Sequence, residues 1–432
     1  LYIDFRTKIS DFSNFLKIIL VIINYFKSIY ICIYIRISFY INLLIFNMSK
    51  KALIIGGGAA GSTAAIELSK KNGWETLLVE KGSSLGAGVW TNFMSGHPYT
   101  YGPRHFLSHN EEVFNYLNDI VPLRLCKEHQ FTSFVEQDGN FYNYPIHEDD
   151  FDRMPDSEQV KKEVNNLDEK YKNKEFKLTV GEENLEEISS NYEDFWLKSV
   201  GPTLYEKFIK NYTKKMWQVD DNKVIDDFTW SPKGVAIKKG DRAGWDKALS
   251  AYPIALNGYN DFFNLASKSV KTLFNTSVDK INPDNNSALI NGEWHEFDII
   301  INTTPIDHLL DYCFGELKYI GRDITFLILP VEFALPPDVY FNYYCGSQKY
   351  SRVVEYKKFT KYKSPNTLIS LEYPSDRGRL YPMPTKPEHD KAKKYFDLMP
   401  DNFHSIGRIG AFNYRYDIDD AIEQALAVTK NL

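Results

Sequence analysis

Residues 50–80 read KKALIIGGGAAGSTAAIELSKKNGWETLLVE, and this segment predicts how most of the chain folds. A short apolar strand, a glycine-rich turn, a helix and a second strand ending in an acid follow one another, as in a dinucleotide-binding βαβ unit. Gly56, Gly58 and Gly61 have the GxGxxG spacing, which gives a tight turn, a close backbone approach to a pyrophosphate and close helix–strand packing. Glu80 ends the second strand, where a carboxylate can accept hydrogen bonds from a ribose. The segment therefore predicts a dinucleotide site.

A second cluster of small residues, at 86–88, follows the acid and bears on which dinucleotide binds. FAD lies lengthwise on its domain, so it needs a second close approach of the backbone, which suits a flavin better than a nicotinamide. The alternative is an ordinary surface loop. The helix after the turn, from about residue 59 to residue 71, would direct its N-terminal amides at the phosphates. The residues of this region that we expect to contact FAD are Gly56, Gly58, Ala59, Ala60, Gly61, Glu80, Lys81, Gly86, Ala87 and Gly88.

The C-terminal region adds a second part of the predicted nucleotide domain. IGRIG at 406–410 has the pattern of a buried strand with a close backbone approach. In the sequence that follows, Asp417 or Asp419 can cap a closing helix, whose N-terminus would stabilise negative charge on a reduced flavin ring. The isoleucine-rich segment at 298–305 is a third strand followed by a small turn. We therefore expect one nucleotide domain assembled from both ends of the chain.

The charge balance and the cysteines limit the partners. The chain has 51 Lys and Arg against 57 Asp and Glu, a net charge of −6, which argues against nonspecific binding of nucleic acid. Cys32, Cys126, Cys313 and Cys345 are scattered, without a CxxC pair or a metal-ligand spacing. We interpret them as thiols in a reducing compartment, which favours a cytoplasmic location and no metal site.

Residues 1–47 differ in composition from the rest of the chain. They are rich in Ile, Tyr and Phe, and Met48 directly precedes the predicted nucleotide fold. Residues 16–35 are apolar enough to suggest a membrane span, but Lys17 and Lys27 interrupt them, and lysine is costly inside a bilayer. The segment also lacks the small-residue cleavage site of a signal peptide. We interpret it as translated upstream sequence, with an N-terminal anchor as the alternative.

Three parts of the sequence that differ in composition and periodicity predict the domain organisation. From about 148 the sequence is charged and helical in period, and from 320 to 373 it is strand-like. We predict an α/β fold in which a Rossmann-like FAD-binding domain carries an inserted helical domain and a twisted antiparallel β-sheet domain. The predicted boundaries are 48–120 for the first FAD-binding part, 121–147 for the first sheet part, 148–225 for the helical domain, 226–310 for mixed FAD-binding and sheet segments, 311–400 for the sheet domain and 401–432 for the C-terminal FAD-binding part.

Seven ordered segments resemble the UDP-galactopyranose mutase family, flavoenzymes that interconvert the six- and five-membered ring forms of a nucleotide-linked galactose. The resemblance runs from residue 51 to about residue 432. The family fold has a flavin domain, an inserted helical domain and an antiparallel sheet, which agrees with the three parts predicted above. Its segments are YGPRHFLSHNEEVFNYLND at 101–119, NYP at 143–145, LYEKFIKNYTKKMWQ at 204–218, NTTPIDHLLDYCFGELKY at 302–319, YSRVVEYKKF at 350–359, LEYPS at 371–375 and GRIGAFNYRYDIDDAI at 407–422.

The resemblance implies covalent catalysis by the cofactor with no net redox change. In this family reduced FAD attacks the anomeric carbon through N5 and displaces UDP, and the sugar ring opens on this flavin N5–sugar adduct and recloses through another hydroxyl. The implied partners are a UDP-sugar and NAD(P)H or another reductant, with a homodimer as a further option. The alternatives are a mutase for another NDP-sugar, a flavin amine-oxidase-like oxidoreductase, and a non-catalytic flavin or nucleotide-sugar binder.

The resemblance also assigns substrate contacts on the helical segment and near it. Phe208 and Tyr212 would sandwich the uracil, with Trp217 near the sugar or a lid. The alternative for these residues is a core stripe at i, i+4 on a helix. Asn143 matches an asparagine near the substrate, and Lys238 falls where the family has a lid arginine, although lysine lacks bidentate geometry.

Further matches lie in the last third of the chain. Tyr350 matches a tyrosine that touches the diphosphate, and Arg408 matches the arginine of the C-terminal GR beside the flavin and the diphosphate. Tyr414 is the expected phosphate-binding tyrosine, with Arg415 as the alternative because the segment has one extra residue. The remaining implied cofactor contacts are Gly407, Asp417 and Ile418.

Two positions depart from the family pattern. Arg104 stands where the family has a histidine beside the flavin, and His105 follows it. A fixed positive charge there would favour an anionic reduced flavin or reach a further substrate anion. Ile320 stands where the family carries an arginine, with Arg322 two residues later and expected on the opposite face of an extended segment. We expect Arg104, Tyr350 and Arg408 to take part in catalysis, and we expect the sugar to be decided around Arg104 and Ile320.

Overall fold

The computed structural model describes residues 49–167, 189–228, 235–245 and 248–432. The extension predicted at 1–47 lies outside these residues. The chain divides into two compact units, of which the smaller consists of Leu1–Lys50 with Lys71–Glu75. Its described part includes a backbone hydrogen bond from the Lys50 amide to the Gly73 carbonyl, at 2.8 Å. The larger unit, Lys51–Lys70 with Thr76–Leu432, carries the features that follow.

The strands and helices are numbered in chain order. The strands are β1 (Lys50–Ile55), β2 (Trp74–Val79), β3 (Asn92–Met94), β4 (His97–Tyr99), β5 (Phe106–Ser108), β6 (Leu123–Leu125), β7 (Gln130–Val135), β8 (Asn140–Tyr144), β9 (Leu249–Pro253), β10 (Lys271–Leu273), β11 (Val278–Asn282), β12 (Ser287–Ile290), β13 (Glu293–Glu296), β14 (Ile299–Asn302), β15 (Tyr319–Leu329), β16 (Val339–Tyr344), β17 (Arg352–Glu355), β18 (Thr367–Ser375), β19 (Tyr381–Pro382) and β20 (Phe403–Ser405). The α-helices are α1 (Ala59–Ser69), α2 (Glu111–Ile120), α3 (Ser157–Asn165), α4 (Tyr192–Val200), α5 (Pro202–Leu204), α6 (Asn211–Trp217), α7 (Asn260–Ser269), α8 (Ile306–Leu309), α9 (Tyr356–Thr360), α10 (Lys386–Phe396), α11 (Gly407–Gly410) and α12 (Ile418–Lys430). A π-helical segment, Tyr205–Lys210, joins α5 to α6, and 3-10 turns lie at Ala87–Val89, Glu136–Asp138, Glu148–Arg153 and Asn222–Val224.

A parallel sheet forms the nucleotide-binding part of the fold. Its strand order is β10–β2–β1–β14–β20, so the first strand of the glycine segment lies near the centre, next to a strand from residue 299 onward. Helix α1 packs against α12 and α7. Because β20 and α12 come from the C-terminus, the domain is assembled from both ends of the chain, as the sequence predicts.

The predicted buried strand at 406–410 is wrong in its position. The strand β20 ends at Ser405, and residues 407–410 form the helical turn α11. Gly407 has φ +73°, which a strand does not tolerate, and a side chain on Gly410 would lie 2.6 Å from the Asn302 carbonyl oxygen. The close backbone approach was therefore predicted correctly, but it belongs to a tight turn.

A larger, seven-stranded sheet has the strand order β19–β15–β18–β17–β16–β7–β8. Its pairs are antiparallel except for β16 with β7, which is parallel. The predicted antiparallel sheet is therefore confirmed, with one parallel pair that arises because β7 comes from the early segment and enters the sheet beside a strand that is distant in sequence. The antiparallel sheets and the Rossmann-like sheet together give the predicted α/β class.

The described residues between 148 and 225 are largely helical. Their buried side chains form one aromatic-rich cluster with Tyr142 of β8, Ile320 of β15 and Tyr381 of β19. This packing fixes the helical segment against the larger sheet. The domain boundaries given above stay predictions. Among the described residues, no helix has the length and apolar character needed to cross a membrane.

Candidate active site

The glycine turn after β1 leaves the N-terminus of α1 open. Gly56 has φ +91°, and a side chain on Gly61 would lie 1.9 Å from the Gly56 carbonyl oxygen, so both positions require glycine. Gly58 is the N-cap of α1, no side chain caps the helix and its first turn holds no acid. A methyl group on Gly58 would meet nothing within 4 Å among the described residues. The turn therefore offers backbone amides and space to an anionic group.

Glu80 is held at the end of β2 beside this turn. Its carboxylate accepts hydrogen bonds from the Gly57 amide, at 2.8 Å, and from the Gly82 amide, at 2.6 Å. The second small-residue loop is tied to the same turn, because the Gly86 amide donates to the Gly57 carbonyl at 2.8 Å. The two loops therefore form one surface, while the side chain of Lys81 is exposed.

The C-terminal segment meets this surface from the other side. A methyl group on Gly407 would lie 3.3 Å from the Cβ atom of Ala60, in the first turn of α1. Asp417 caps α12 in a capping box with Asp420, and it also pairs with the Arg408 guanidinium. The predicted cap at Asp417 is therefore confirmed over the alternative, Asp419.

Burial and neighbouring acids raise the pKa values of two carboxyl groups in the first turn of α12. Burial raises the pKa of Asp419 to about 8, with further repulsion from Asp420 and Asp417. Burial also raises the pKa of Asp420 to about 6, although Arg408 opposes this shift. The first turn of α12 therefore carries less negative charge at neutral pH than its sequence suggests.

Four arginines, Arg104, Arg322, Arg352 and Arg408, lie around Tyr381, and we call them the arginine cluster. The guanidinium carbons of Arg322 and Arg408 lie 5.2 Å and 5.6 Å from the centre of the Tyr381 ring. A methyl group on Gly102 would lie 3.5 Å from Arg352 Nη2 and 4.0 Å from Arg104 Nε. These side chains come from four separate segments and converge at one place.

The arginine cluster has more positive than negative charge. Its acidic partners are Glu372, which accepts a hydrogen bond from Arg352 Nη2 at 2.6 Å, and Asp417, which pairs with Arg408. Arg322 Nε lies 3.8 Å from the Glu372 carboxylate, too far for a hydrogen bond, and the side chain is only 5% exposed. Arg104 Nε is buried and has no hydrogen-bond acceptor among the described residues. Buried cationic donors without acceptors indicate a site for an anion.

The charge of the cluster acts on Tyr381, which is 7% exposed. Burial alone would raise the pKa of this phenol, but Arg322, Arg104 and Arg352 outweigh it and lower the pKa to about 8. The ring of Tyr414 lies 5.7 Å away. The phenol of Tyr381 is therefore more acidic than an ordinary tyrosine because of its cationic neighbours.

Arg104 connects the cluster to the predicted cofactor loop. A methyl group on Gly88 would lie 3.2 Å from Arg104 Nη2. His105 points elsewhere, because its ring stacks on Phe359 at 6.0 Å and meets the His129 ring edge-on at 4.9 Å. His105 therefore does not take the place of the histidine that the family has at position 104.

An aromatic cavity of about 100 Å³ opens beside the π-helical segment. Phe208 and Tyr212, the predicted base contacts, both line it, together with Tyr343 and Tyr414. Trp217 is buried in the helical cluster with its ring 4.8 Å from that of Tyr414, and it does not line the cavity. The structure thus brings two of the three predicted aromatic residues to one cavity, and their roles stay predictions.

Other predicted substrate residues are engaged within the protein. The amide and the side-chain nitrogen of Asn143 donate to Asp150 Oδ2, at 2.6 Å and 2.9 Å. Lys238 is buried, and its ammonium donates a hydrogen bond to the Ala243 carbonyl. Arg415 pairs with Asp227 at 3.6 Å. The roles of these three residues toward a substrate stay predictions.

Tyr350 lies in an aromatic group near β17. Its ring meets that of Tyr344 edge-on at 4.6 Å and lies 6.0 Å from that of Tyr373. The phenol is therefore held by its neighbours, and its contact with a diphosphate stays a prediction.

The expectation for Arg322 is wrong. Residues two apart on a strand share a face, and β15 pairs with β18 in continuous register from Gly321 to Leu329. Arg322 contacts the Met216 sulfur, and Met216 belongs to the same buried cluster as Ile320. Arg322 therefore places a guanidinium group on the same side of the sheet as Ile320, which stands where the family carries an arginine.

Three functional candidates were not identified from the sequence, namely Arg352, Glu372 and Tyr381, and Arg322 was expected on the wrong face. Arg352 and Glu372 lie within YSRVVEYKKF and LEYPS, so the motifs themselves contained the signal. Tyr381 lies in LYPMP, where no spacing or charge pattern indicates a site. Only the convergence of distant segments identifies it.

Two family models and several curated proteins resemble this chain in sequence. A family model described as UDP-galactopyranose mutase matches residues 207–416, and a model for an NAD(P)-binding Rossmann-like domain matches residues 54–120. A probable UDP-galactopyranose mutase from Klebsiella pneumoniae is 22% identical over 406 residues, covering 88% of this chain and 93% of the relative. A dTDP-fucopyranose mutase from Escherichia coli is 23% identical over 396 residues, covering 87% of this chain and 96% of the relative.

Solved structures share the fold. A crystal structure of reduced UDP-galactopyranose mutase matches with a TM-score of 0.70 at 17% identity, covering 89% of this chain and 93% of that one. A putative protoporphyrinogen oxidase from Exiguobacterium matches with a TM-score of 0.61 at 12% identity, covering 89% of this chain and 98% of that one. Likeness at this identity extends to the arrangement of the elements.

Proposed function

We propose that this chain, which a UDP-galactopyranose mutase family model matches over residues 207–416, is a member of that family and interconverts the pyranose and furanose forms of a nucleoside-diphosphate sugar, UDP-galactose first. It is an isomerase related to sugar mutases. The observation that carries the proposal is the position of Arg104, the member of the arginine cluster that lies beside Gly88 and so would join a cofactor surface to an anion site.

The residues present fit FAD. The open N-terminus of α1 at Gly58, with no capping side chain and no acid, suits the pyrophosphate. Glu80 would accept hydrogen bonds from the ribose, and the loop at 86–88 would follow the ribityl chain. When bound in its reduced form, kept so by NAD(P)H or another reductant, FAD would supply the nucleophile for the reaction.

The chain's own residues would bind and stabilise the nucleotide that leaves. Guanidinium groups of the arginine cluster would pair with the diphosphate, whose charge increases as the glycosidic bond breaks. Phe208 and Tyr212 would hold the base in the aromatic cavity. Holding both ends of the nucleotide would keep it close enough to return after the sugar has recyclised.

A second candidate is a mutase for another NDP-sugar. The dTDP-fucopyranose mutase relative is as similar to this chain as the UDP-galactopyranose mutase relative, at 23% and 22% identity. The departures at Arg104 and Ile320 lie where we expect the sugar to be selected. The comparisons therefore support a sugar mutase more strongly than they support one sugar.

An amine oxidase is disfavoured by the charge of the site. A putrescine oxidase structure shares the fold with a TM-score of 0.58 at 12% identity. The arginine cluster, with two acidic partners for four guanidinium groups, would repel an ammonium substrate. The same cluster would attract a diphosphate.

The test is a substrate panel with chemically reduced protein. The full chain, loaded with FAD and reduced with dithionite, is incubated with UDP-galactose, dTDP-fucose and GDP-hexoses, and the furanose forms are separated by chromatography. Conversion of one of these sugars by reduced but not by oxidised protein is expected. Full FAD occupancy without conversion of any NDP-sugar overturns the proposal, and oxygen consumption with an amine would support the oxidase.

A further inference from the structure

The ammonium group of Lys215, in the last turn of α6, is surrounded by backbone carbonyl groups. Its Nζ atom lies 2.7 Å from the Gln348 oxygen, 2.8 Å from that of Tyr344, 3.0 Å from that of Tyr350 and 3.2 Å from that of Gly346. All four lie between the last residue of β16 and the start of β17, at residues 344–350, which we call the 344–350 loop. The loop therefore wraps around one side chain from another part of the fold.

Lysine suits this arrangement because it has three N–H donors and no acceptor. Four carbonyl groups that point at one position repel each other unless a cation lies between them, and an unpaired buried carbonyl is costly. The flanking residue Lys214 has no such contacts among the described residues, although it shares the helix. The contact is therefore specific to position 215.

The 344–350 loop leads directly to the arginine cluster. The next residue, Ser351, accepts a hydrogen bond from Arg322 Nη1 at 2.6 Å. Arg352 follows and pairs with Glu372. At the other end of the loop, Tyr343 lines the aromatic cavity and its ring meets that of Tyr212 at 5.3 Å. The loop thus joins the two ends of the proposed nucleotide site.

Glu136 holds the outer side of the same loop. It accepts hydrogen bonds from the Ser347 amide at 2.7 Å, the Ser347 hydroxyl at 2.6 Å and the Gln348 side chain at 3.1 Å. These contacts fix the tip of the loop at the surface. They do not reach the carbonyl groups of Tyr344 and Tyr350, which only Lys215 joins among the described contacts.

We propose that Lys215 is a positioning residue that fixes the distance between the base cavity and the arginine cluster through the 344–350 loop. The identity of the bound nucleotide rests on the proposed function, whereas the role of Lys215 in holding the loop does not. Without the ammonium group the carbonyl groups would turn toward water, and Arg352 and Tyr350 would lose their fixed positions.

The test compares Lys215→Met with Lys214→Met and Glu136→Gln. We expect K215M to speed amide hydrogen exchange across residues 344–352 and to weaken UDP binding about tenfold, since hydrogen bonds from a charged group are lost. K214M is expected to match the native protein. E136Q is expected to affect exchange only at the tip of the loop. In turnover assays K215M should raise KM more than it lowers kcat.

Chemical rescue separates positioning from general damage. In Lys215→Ala, added methylammonium should restore slow exchange in the loop and UDP affinity. Native exchange and native UDP affinity in K215M overturn the proposal, as does a loss in K215A that methylammonium does not reverse. If UDP fails to bind the native protein, the nucleotide assignment falls while the exchange measurement still decides the role of Lys215. If K215M does not fold, Lys215→Gln is used, which loses the charge and keeps an N–H donor, and native exchange in its loop would overturn the proposal.

Discussion

The guanidinium group of Arg322 lies over the ring of Tyr381, 5.2 Å from its centre, and both side chains are buried. Arg322 comes from the long strand β15 and Tyr381 from the short strand β19, which pair only at Tyr319 and Ile320. The cation is held by Ser351 and the Met216 sulfur, and its nearest carboxylate, Glu372 at 3.8 Å, is shared with Arg352. Its charge therefore acts on the tyrosine and on any anion that enters.

Replacing Arg322 should change the titration of Tyr381. Because cations lower the pKa of Tyr381 to about 8 against the effect of burial, we expect Arg322→Met to raise it. Ultraviolet difference titration should show one tyrosine ionising near pH 8 in the native protein and not in Tyr381→Phe. In R322M this early step should move to higher pH.

The control for this titration is Arg377→Met. Arg377 pairs with Asp323 at the surface with its side chain 77% exposed, so its loss should leave the early tyrosine step unchanged. An early step of the same pH in R322M and in the native protein would contradict the assignment of the cluster to Tyr381.

Arg408→Ala should impair turnover much more than FAD content. The substitution removes a charge-assisted contact to the proposed diphosphate, worth about 1.5–3 kcal/mol, or roughly 10–150-fold in kcat/KM. Asp417 loses an ion pair but keeps its capping contacts with α12, so the fold should survive. Steady-state kinetics and flavin absorbance measure the two effects.

Arg408→Lys serves as the graded comparison, since it keeps the charge and loses the planar fork. An intermediate rate is expected. If R408A has the native rate at both saturating and tenfold-diluted substrate, Arg408 does not belong to the site.

Two glycine substitutions should separate cofactor binding from folding. Gly58→Ala meets no described atom within 4 Å, so it should leave the thermal stability of the apoprotein nearly unchanged while lowering its FAD content. Gly61→Ala would place a methyl group 1.9 Å from the Gly56 carbonyl oxygen and should destabilise the apoprotein itself. Thermal denaturation without flavin and flavin titration give the two readouts. Equal FAD affinity in G58A and the native protein would argue against a pyrophosphate at this turn.

Acid should destabilise the protein through His129. Burial, then the charges of His105 and Lys361, hold the pKa of His129 well below its ordinary value of 6.5. The folded state therefore favours the neutral ring, so this stabilisation is present above pH 6.5 and is lost as the pH falls toward the folded-state pKa. The free energy of unfolding should fall by up to about 1.4 kcal/mol per pH unit in that range.

Denaturant unfolding from pH 7.5 to pH 5 measures this effect. His129→Phe should reduce the slope because it removes the titrating group. The variant should still fold, since the ring at this position packs against Tyr340 and Phe359. His295→Gln is the control, because that side chain is 47% exposed, and it should keep the native slope. The same slope in H129F and H295Q would exclude His129 as the source.

Local patterns in the sequence predicted the local parts of the fold. The GxGxxG spacing and the apolar period gave a helix from about 59 to 71, and α1 spans Ala59–Ser69. Asp417 was expected as a cap because short acidic side chains accept hydrogen bonds from helix amides, and it is one. The turn at 407–410 was mistaken for a strand because a small-residue segment has the same composition in either case.

Local sequence patterns did not predict the arginine cluster. Its members come from positions 104, 322, 352 and 408, and no periodicity relates them. The sequence by itself determined the glycine turn, the fold class and the resemblance to the mutase family, because these depend on neighbouring residues and on ordered motifs. The tertiary structure alone decided that Arg322 and Arg408 both lie over the ring of Tyr381 and that Lys215 holds the 344–350 loop. Such contacts depend on strand register and packing between distant segments, which fix where each side chain points.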